Sequence, residues 1–154
     1  MKELLDLIKK HEGFREKTYQ CTEGHDTIGI GFAWKDLHFD EEVCNKVIEQ
    51  NRHNIKLSEE VCDIILEQKI DGILGKLHKV APWVEESNRV VQMVIINMCY
   101  QMGVSGVMKF KKALAAMQIS DWETAAKELL DSKWARQTPN RANELADMTR
   151  GIND

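Results

Sequence analysis

Basic residues are not in excess in this chain, and that removes one class of partner at the outset. Of 154 residues, 21 are Lys or Arg and 25 are Asp or Glu, a net charge of −4 spread without long blocks. A nucleic-acid binder would show a basic face, so no nucleic acid is expected. No uninterrupted apolar run reaches 18 residues, so no membrane-spanning segment and no stable membrane association are expected. The opening MKELLDLIKKHEGF interleaves Glu3 and Asp6 with its apolar positions. It reads as an amphipathic helix and not as a signal peptide, with no secretion route encoded. The four cysteines (Cys21, Cys44, Cys62, Cys99) form no CxxC pair, and free thiols are expected. Three of them fall among apolar residues in helical patterns, where Cys acts as a small hydrophobe; Cys21 falls in a turn. The five histidines are scattered without metal-ligand spacing, so no metal and no cofactor are expected. Internal repeats, low-complexity tracts and flexible linkers are also missing.

What remains is apolar content enough for a real core, 43% of residues, in a chain the length of one domain. Leu4, Leu5, Leu7 and Ile8 give a first helix one apolar face, and Gly13 ends it. Phe14 and Tyr19 lead into a small sheet running to Gly31, with a further strand expected over Phe32 to Phe39. So glycine-rich a sheet must lean on helices. Asp40 is a plausible N-cap for a helix to about Gln50. Ser58 caps a longer one, whose Val61, Ile64, Ile65, Ile70, Ile73, Leu74 and Leu77 recur at helical spacing. Twenty such residues span about 30 Å. Pro82 suits the first turn of a short helix. Val90 to Met102 is apolar nearly all round and reads as a buried central helix. Ser120 with Glu123 forms a capping-box pattern, and Thr138-Pro139 supplies an N-cap and first-turn proline for the last helix.

The chemistry concentrates in HEGFREKTYQCTEGHDTIGIG, His11 to Gly31. Glu12 stands where helix meets sheet, between apolar Phe14 and Ile28, a setting expected to be partly shielded from water. Cys21 follows nine positions on and Thr27 six further. A last-turn Glu and a β-branched strand Thr are each ordinarily structural; only their joint spacing promotes them. That spacing, with EG after the helix and TIGIG in the strand, resembles the catalytic segment of the phage-type lysozymes, the endolysin muramidases of glycoside hydrolase family 24. INMCYQMGVSG (Ile96 to Gly106) and SKWARQTPNRA (Ser132 to Ala142) resemble the matching segments of the T-even phage members, so the likeness covers nearly the whole chain.

The resemblance implies an α+β, predominantly helical, lysozyme-like fold. A small β-containing lobe (about 13–57) and a larger all-helical lobe (about 79–154, with 1–12) would be joined by a long helix over about 58–78. It implies hydrolysis, with inversion, of the β-1,4 bond between N-acetylmuramic acid and N-acetylglucosamine in peptidoglycan. Glu12 would donate the proton, with Cys21 and Thr27 holding or activating water on the opposite face. Glu23, Ala33, Tyr100, Gln101 and Lys133 match substrate-facing positions, and Arg141 matches an Arg that pairs with the catalytic Glu. Ala113, Glu128 and Phe32 depart from the family pattern. Trp34, beside the strand motif, is the one tryptophan considered for a saccharide; Trp83, Trp122 and Trp134 read as packing.

Cys21 occupies a position where most of the family has Asp. A free thiol titrates at roughly 8.5 and is mostly protonated at neutral pH. Either its environment favours the thiolate, or the thiol only positions water, or Asp26 or Glu23 has taken over. Asp26 adjoins Thr27 and should face the other way. Two other readings stay open: a lytic transglycosylase on the same bond, and a non-catalytic peptidoglycan-binding descendant. The resemblance further implies a monomer held in the bacterial host cytoplasm, needing a holin-type pore to reach the wall for host lysis.

Overall fold

The element that begins the fold is α1 (Lys2–Glu12), stopped at Gly13. Gly13 takes φ 78° and its N–H bonds back to the Lys9 carbonyl at 2.7 Å, the left-handed stop that glycine adopts without a Cβ penalty. The computed structural model describes residues 1–20, 26–33, 42, 46 and 56–153, with the backbone alone at 19, 20 and 33. The chain divides into two compact units, residues 1–70 and 71–154.

In the first unit three strands form an antiparallel sheet in the order β1 (Arg15–Gln20), β2 (Asp26–Gly29) and β3 (Phe32–Ala33). Tyr19 pairs with Thr27, and Thr27 in turn with Ala33. The β2–β3 connection is the tight turn Gly29-Ile30-Gly31, and both glycines take positive φ, 68° and 70°. The rest of the strand expected over Phe32 to Phe39, and the helix expected from Asp40 to Gln50, lie outside the described residues, save that Glu42 and Lys46 are helical. Leu57 joins the sheet by a 2.9 Å bond from its N–H to the Glu16 carbonyl. Ile8, Ile28, Ile30, Phe32, Leu57, Val61, Cys62, Leu66 and Ile70 are the most deeply buried apolar residues here. The sheet thus contributes its inward side chains to a core made mostly by helices.

The long helix α2 (Glu59–Val80) passes from the first unit into the second. Ser58 caps it as expected: its Oγ accepts from the Val61 N–H at 3.2 Å. Lys9 of α1 fastens its first turn, with Nζ 2.8 Å from Glu59 Oε1 and 2.7 Å from Asp63 Oδ1. Burial opposes the Lys9 charge, but hydrogen bonds to Asp63 and Glu59 outweigh it and raise the ammonium above its ordinary value.

The second unit is all helical. A 3₁₀ turn (Pro82–Val84) precedes α3 (Arg89–Met108), α4 (Lys111–Gln118), α5 (Trp122–Leu130), α6 (Lys133–Gln137) and α7 (Pro139–Arg150). α3 is apolar and long enough to cross a membrane by composition alone. Here its Val91, Val94 to Cys99 and Val107 are buried core. Helical geometry breaks at Gly103 (φ 80°, ψ 158°), one residue past the apolar stretch read from the sequence.

Two caps differ from expectation. α5 is capped by Asp121 and not by Ser120: Asp121 Oδ1 accepts from the Thr124 N–H at 3.1 Å, and those hydrogen bonds hold its carboxyl below the usual range. Ser120 instead terminates α4. Its N–H bonds to the Met117 carbonyl at 3.2 Å, and the Asp121 N–H reaches Ala116 at 2.9 Å, the paired bonds of a Schellman ending. Ser120 fills the left-handed position at φ 60°, where a non-glycine residue costs roughly 1–2 kcal/mol. Thr138 stands in the N-cap position before Pro139, but its hydroxyl donates back to the Trp134 carbonyl at 2.9 Å.

Candidate active site

Glu12 ends α1, half-buried, and its carboxylate packs against the turn between β2 and β3. A Cβ on Gly31 would stand 2.9 Å from Glu12 Oε2 and 3.5 Å from its Cδ. Glycine is therefore needed at 31 twice over, for its left-handed backbone and for the room that the carboxylate occupies. Gly29 is crowded by structure instead. A Cβ there would lie 2.7 Å from the Phe32 ring and 2.9 Å from Cys62 Sγ. The two glycines of TIGIG thus divide the work: one seats the turn on the core, the other admits the acid.

Thr27 is 4% exposed on β2, while Asp26 beside it faces solvent, the alternation expected of a strand. Asp26 is thereby directed away from the side Thr27 occupies. Ile28 is fully buried, but Phe14, expected to shield Glu12 with it, is 40% exposed. Phe32, a departure from the family pattern, is core, with Lys69 Nζ 5.6 Å from its ring centroid. Cys21, Glu23 and Trp34 lie outside the described residues, and of Ala33 only the strand backbone is described, opposite Thr27.

The second unit holds the other expected residues, and one face of α3 organises them. Asn97 and Gln101 are four residues apart, so they share that face. Asn97 is fully buried and accepts from Arg141 Nε through Oδ1 at 2.9 Å; Arg141 Nη2 donates to its backbone carbonyl at 3.3 Å. Arg141 itself is 8% exposed. Gln101 Oε1 accepts from the indole N–H of Trp134 at 2.7 Å. That bond settles which way the amide points and leaves the Gln101 NH₂ as the donor it can offer a ligand. Trp134 is held in turn edge-on against Phe110, centroids 5.9 Å apart at 83°. Ser132 sets the start of α6, accepting from the Ala135 N–H and donating to the Leu129 carbonyl.

Lys133, Trp134, Phe110, Ala113 and Glu128 line one cavity of about 460 Å³. Lys133 is exposed and Tyr100 half-buried. The two family departures at 113 and 128 therefore fall together in a single pocket. Asn97 was not among the residues singled out from the sequence, and Trp134 was read there only as packing. The signal for Asn97 was present, as the one polar side chain deep within an apolar stretch, Val94 to Cys99. Trp134 gives no such signal, since its role is to orient another side chain. Among the described residues no group of three or more His, Cys, Asp or Glu is arranged to hold a metal ion.

A small antiparallel sheet with a carboxylate at its helix junction, followed by an all-helical portion, is the lysozyme-like α+β arrangement. Residues 9–150 match the family described as phage lysozyme. The chain is 32% identical over 151 residues to probable T4-type lysozyme 1 of Dictyostelium discoideum, spanning 91% of this chain and 89% of that protein. It is 36% identical over 152 residues to the pre-baseplate central spike protein Gp5 of Enterobacteria phage T4, spanning 92% of this chain but only 26% of Gp5. Probable T4-type lysozyme 2 of Dictyostelium discoideum is 32% identical over 154 residues, spanning 92% and 90%. The chain belongs to the phage lysozyme family and is a glycoside hydrolase of the cell-wall-degrading lysozyme type.

Proposed function

We propose that the chain is a muramidase that hydrolyses the β-1,4 bond between N-acetylmuramic acid and N-acetylglucosamine in peptidoglycan, with inversion at the anomeric carbon. The observation that carries this is the Glu12 carboxylate seated against Gly31, which fixes an acid at the rim of the sheet. Glu12 protonates the leaving oxygen. Cys21 and Thr27 hold or activate the water that attacks from the opposite face of the sugar. Thr27 is suited to this by being locked in the middle strand between Tyr19 and Ala33. Glu23, Ala33, Tyr100, Gln101 and Lys133 contact the glycan, and Arg141, anchored by Asn97, supports Glu12.

The biological role that fits is release from the bacterial cytoplasm through a holin-type pore, followed by host lysis. One relative is a phage spike protein, so a particle-borne role is the second reading. Fractionation of lysates separates them: activity in the free soluble fraction fits the first, activity sedimenting with particles the second.

Loss of turbidity of permeabilised Gram-negative cells tests the activity. Wild type should clear the suspension and Glu12→Gln should not; equal rates would overturn the assignment. The digest should carry ordinary reducing ends, whereas 1,6-anhydro ends would identify a transglycosylase. Cys21→Ala should cut lysis strongly and Cys21→Asp retain it. Full activity in Cys21→Ala with none in Asp26→Asn would transfer the role to Asp26.

A further inference from the structure

Away from the pocket of Lys133 and Trp134, the second unit carries another groove, of about 400 Å³ and lined chiefly by polar atoms. It lies between the 3₁₀ turn with the start of α3 on one side and the α4–α5 junction on the other, and shares no lining residue with the first pocket. We propose that this groove is a second, non-catalytic saccharide site that takes N-acetylhexosamine units of a glycan strand. The proposal rests on the muramidase reading for its biological setting but not for its chemistry.

The chemistry is that of a neutral ligand rich in hydroxyl and amide groups. Trp83 and Trp122, each half-buried, are among the residues that line it, and an indole can offer a flat apolar face to the C–H side of a sugar ring. Around them are Glu86, Asn88, Gln118 and Ser120. Asn88 Oδ1 is committed to the Val90 N–H at 2.7 Å, so its NH₂ is the end available to a ligand. The Trp83 indole N–H, the Glu86 carboxylate, the Gln118 amide and the Ser120 hydroxyl have no hydrogen-bond partner among the described residues. The set mixes donors with acceptors, as a sugar's hydroxyl and acetamido groups require.

Other ligand classes fit less well. A single carboxylate is too few for a metal ion and repels phosphate. A peptide added as a β-strand would need a sheet edge, and no strand lies among the described residues of this unit. Ser120 owes its backbone conformation to ending α4, and the same left-handed turn brings the residue to the lining.

The test is a titration of the full chain with the soluble β-1,4 tetramer of N-acetylglucosamine, following the four indole N–H resonances by NMR. The Trp83 resonance should shift saturably. Asn88→Asp with Gln118→Ala should weaken that response about tenfold, the loss expected for one or two polar contacts. Asn88→Asp retains the helix cap, so the fold is preserved. The double variant should bind insoluble cell walls several-fold more weakly, yet hydrolyse short soluble glycan fragments at the wild-type rate. A Trp83 resonance that ignores the tetramer, or that answers to isolated stem peptide and not to sugar, overturns the proposal. So does equal wall binding by the variant. Absence of hydrolysis by wild type would instead sink the muramidase reading while leaving the Trp83 titration interpretable.

Discussion

Glu12 and Gly31 are in contact such that a single methyl group on the glycine would collide with the carboxylate, 2.9 Å from Oε2. Gly31→Ala should therefore displace the acid and lower activity steeply, at least about tenfold for a shift near 1 Å in a reacting group. The backbone penalty at φ 70° is roughly 1–2 kcal/mol, so the variant should remain folded. Gly29→Ala offers the contrast. It meets the Phe32 ring and Cys62, adding roughly 1–3 kcal/mol of overpacking to a similar backbone cost. Urea unfolding and turbidity assays on both variants should separate them, Gly31→Ala losing mainly rate and Gly29→Ala mainly stability. Equal profiles would refute the division of roles.

The guanidinium of Arg141 is buried, and the Asn97 side chain and carbonyl receive two of its N–H groups. Asn97→Ala should cost roughly 1–3 kcal/mol, the penalty for stripping a hydrogen-bond partner from a buried donor. Lytic activity should fall with it, because Arg141 loses the side-chain acceptor that orients its Nε. Asn97→Asp keeps an acceptor at the same place and should lose less of both. A double-mutant cycle with Arg141→Ala should give a coupling above about 0.5 kcal/mol. Strict additivity would mean that the two residues act separately.

The elements most legible in the sequence were those governed by local chemistry. Gly13 ended α1 and Ser58 capped α2 where helix-capping rules place them. The apolar stretch from Val90 read as a core helix because its pattern leaves no polar face. Asp121 and Ser120 were exchanged because either can cap a helix. The choice was made by the ending of α4, which needed a left-handed residue at Ser120. Site residues joined by long-range contacts were less visible. Nothing local reveals that Gln101 is oriented by Trp134, 33 positions on, or that Gly31 is glycine on account of Glu12, 19 positions before it.

Cys62 and Cys99 are buried free thiols, and each is pushed up from 9.0 to about 12. Burial is the main cause at both, reinforced at Cys62 by the Asp63 carboxylate. In the unfolded chain a thiol loses its proton near its ordinary value, while in the folded protein it keeps it. The folded state thus binds more protons above about pH 9, and stability must fall as pH rises from there towards 12. The loss is roughly 1 kcal/mol per thiol between pH 9 and 10. Lys9, raised by its carboxylate partners, acts in the same direction at still higher pH. Its ion pairs are intact below the unfolded lysine range and are lost as pH passes its folded value. Urea midpoints between pH 7 and 10.5 should therefore decline in wild type and flatten in the Cys62→Ala, Cys99→Ala variant. The same burial keeps both thiols inert to iodoacetamide in the native protein. Alkylation at pH 8 in a Cys44→Ser background should label Cys21 alone, with inactivation tracking that label. Labelling of Cys62 or Cys99 at a comparable rate would contradict their burial, and full labelling of Cys21 without inactivation would remove it from the reaction.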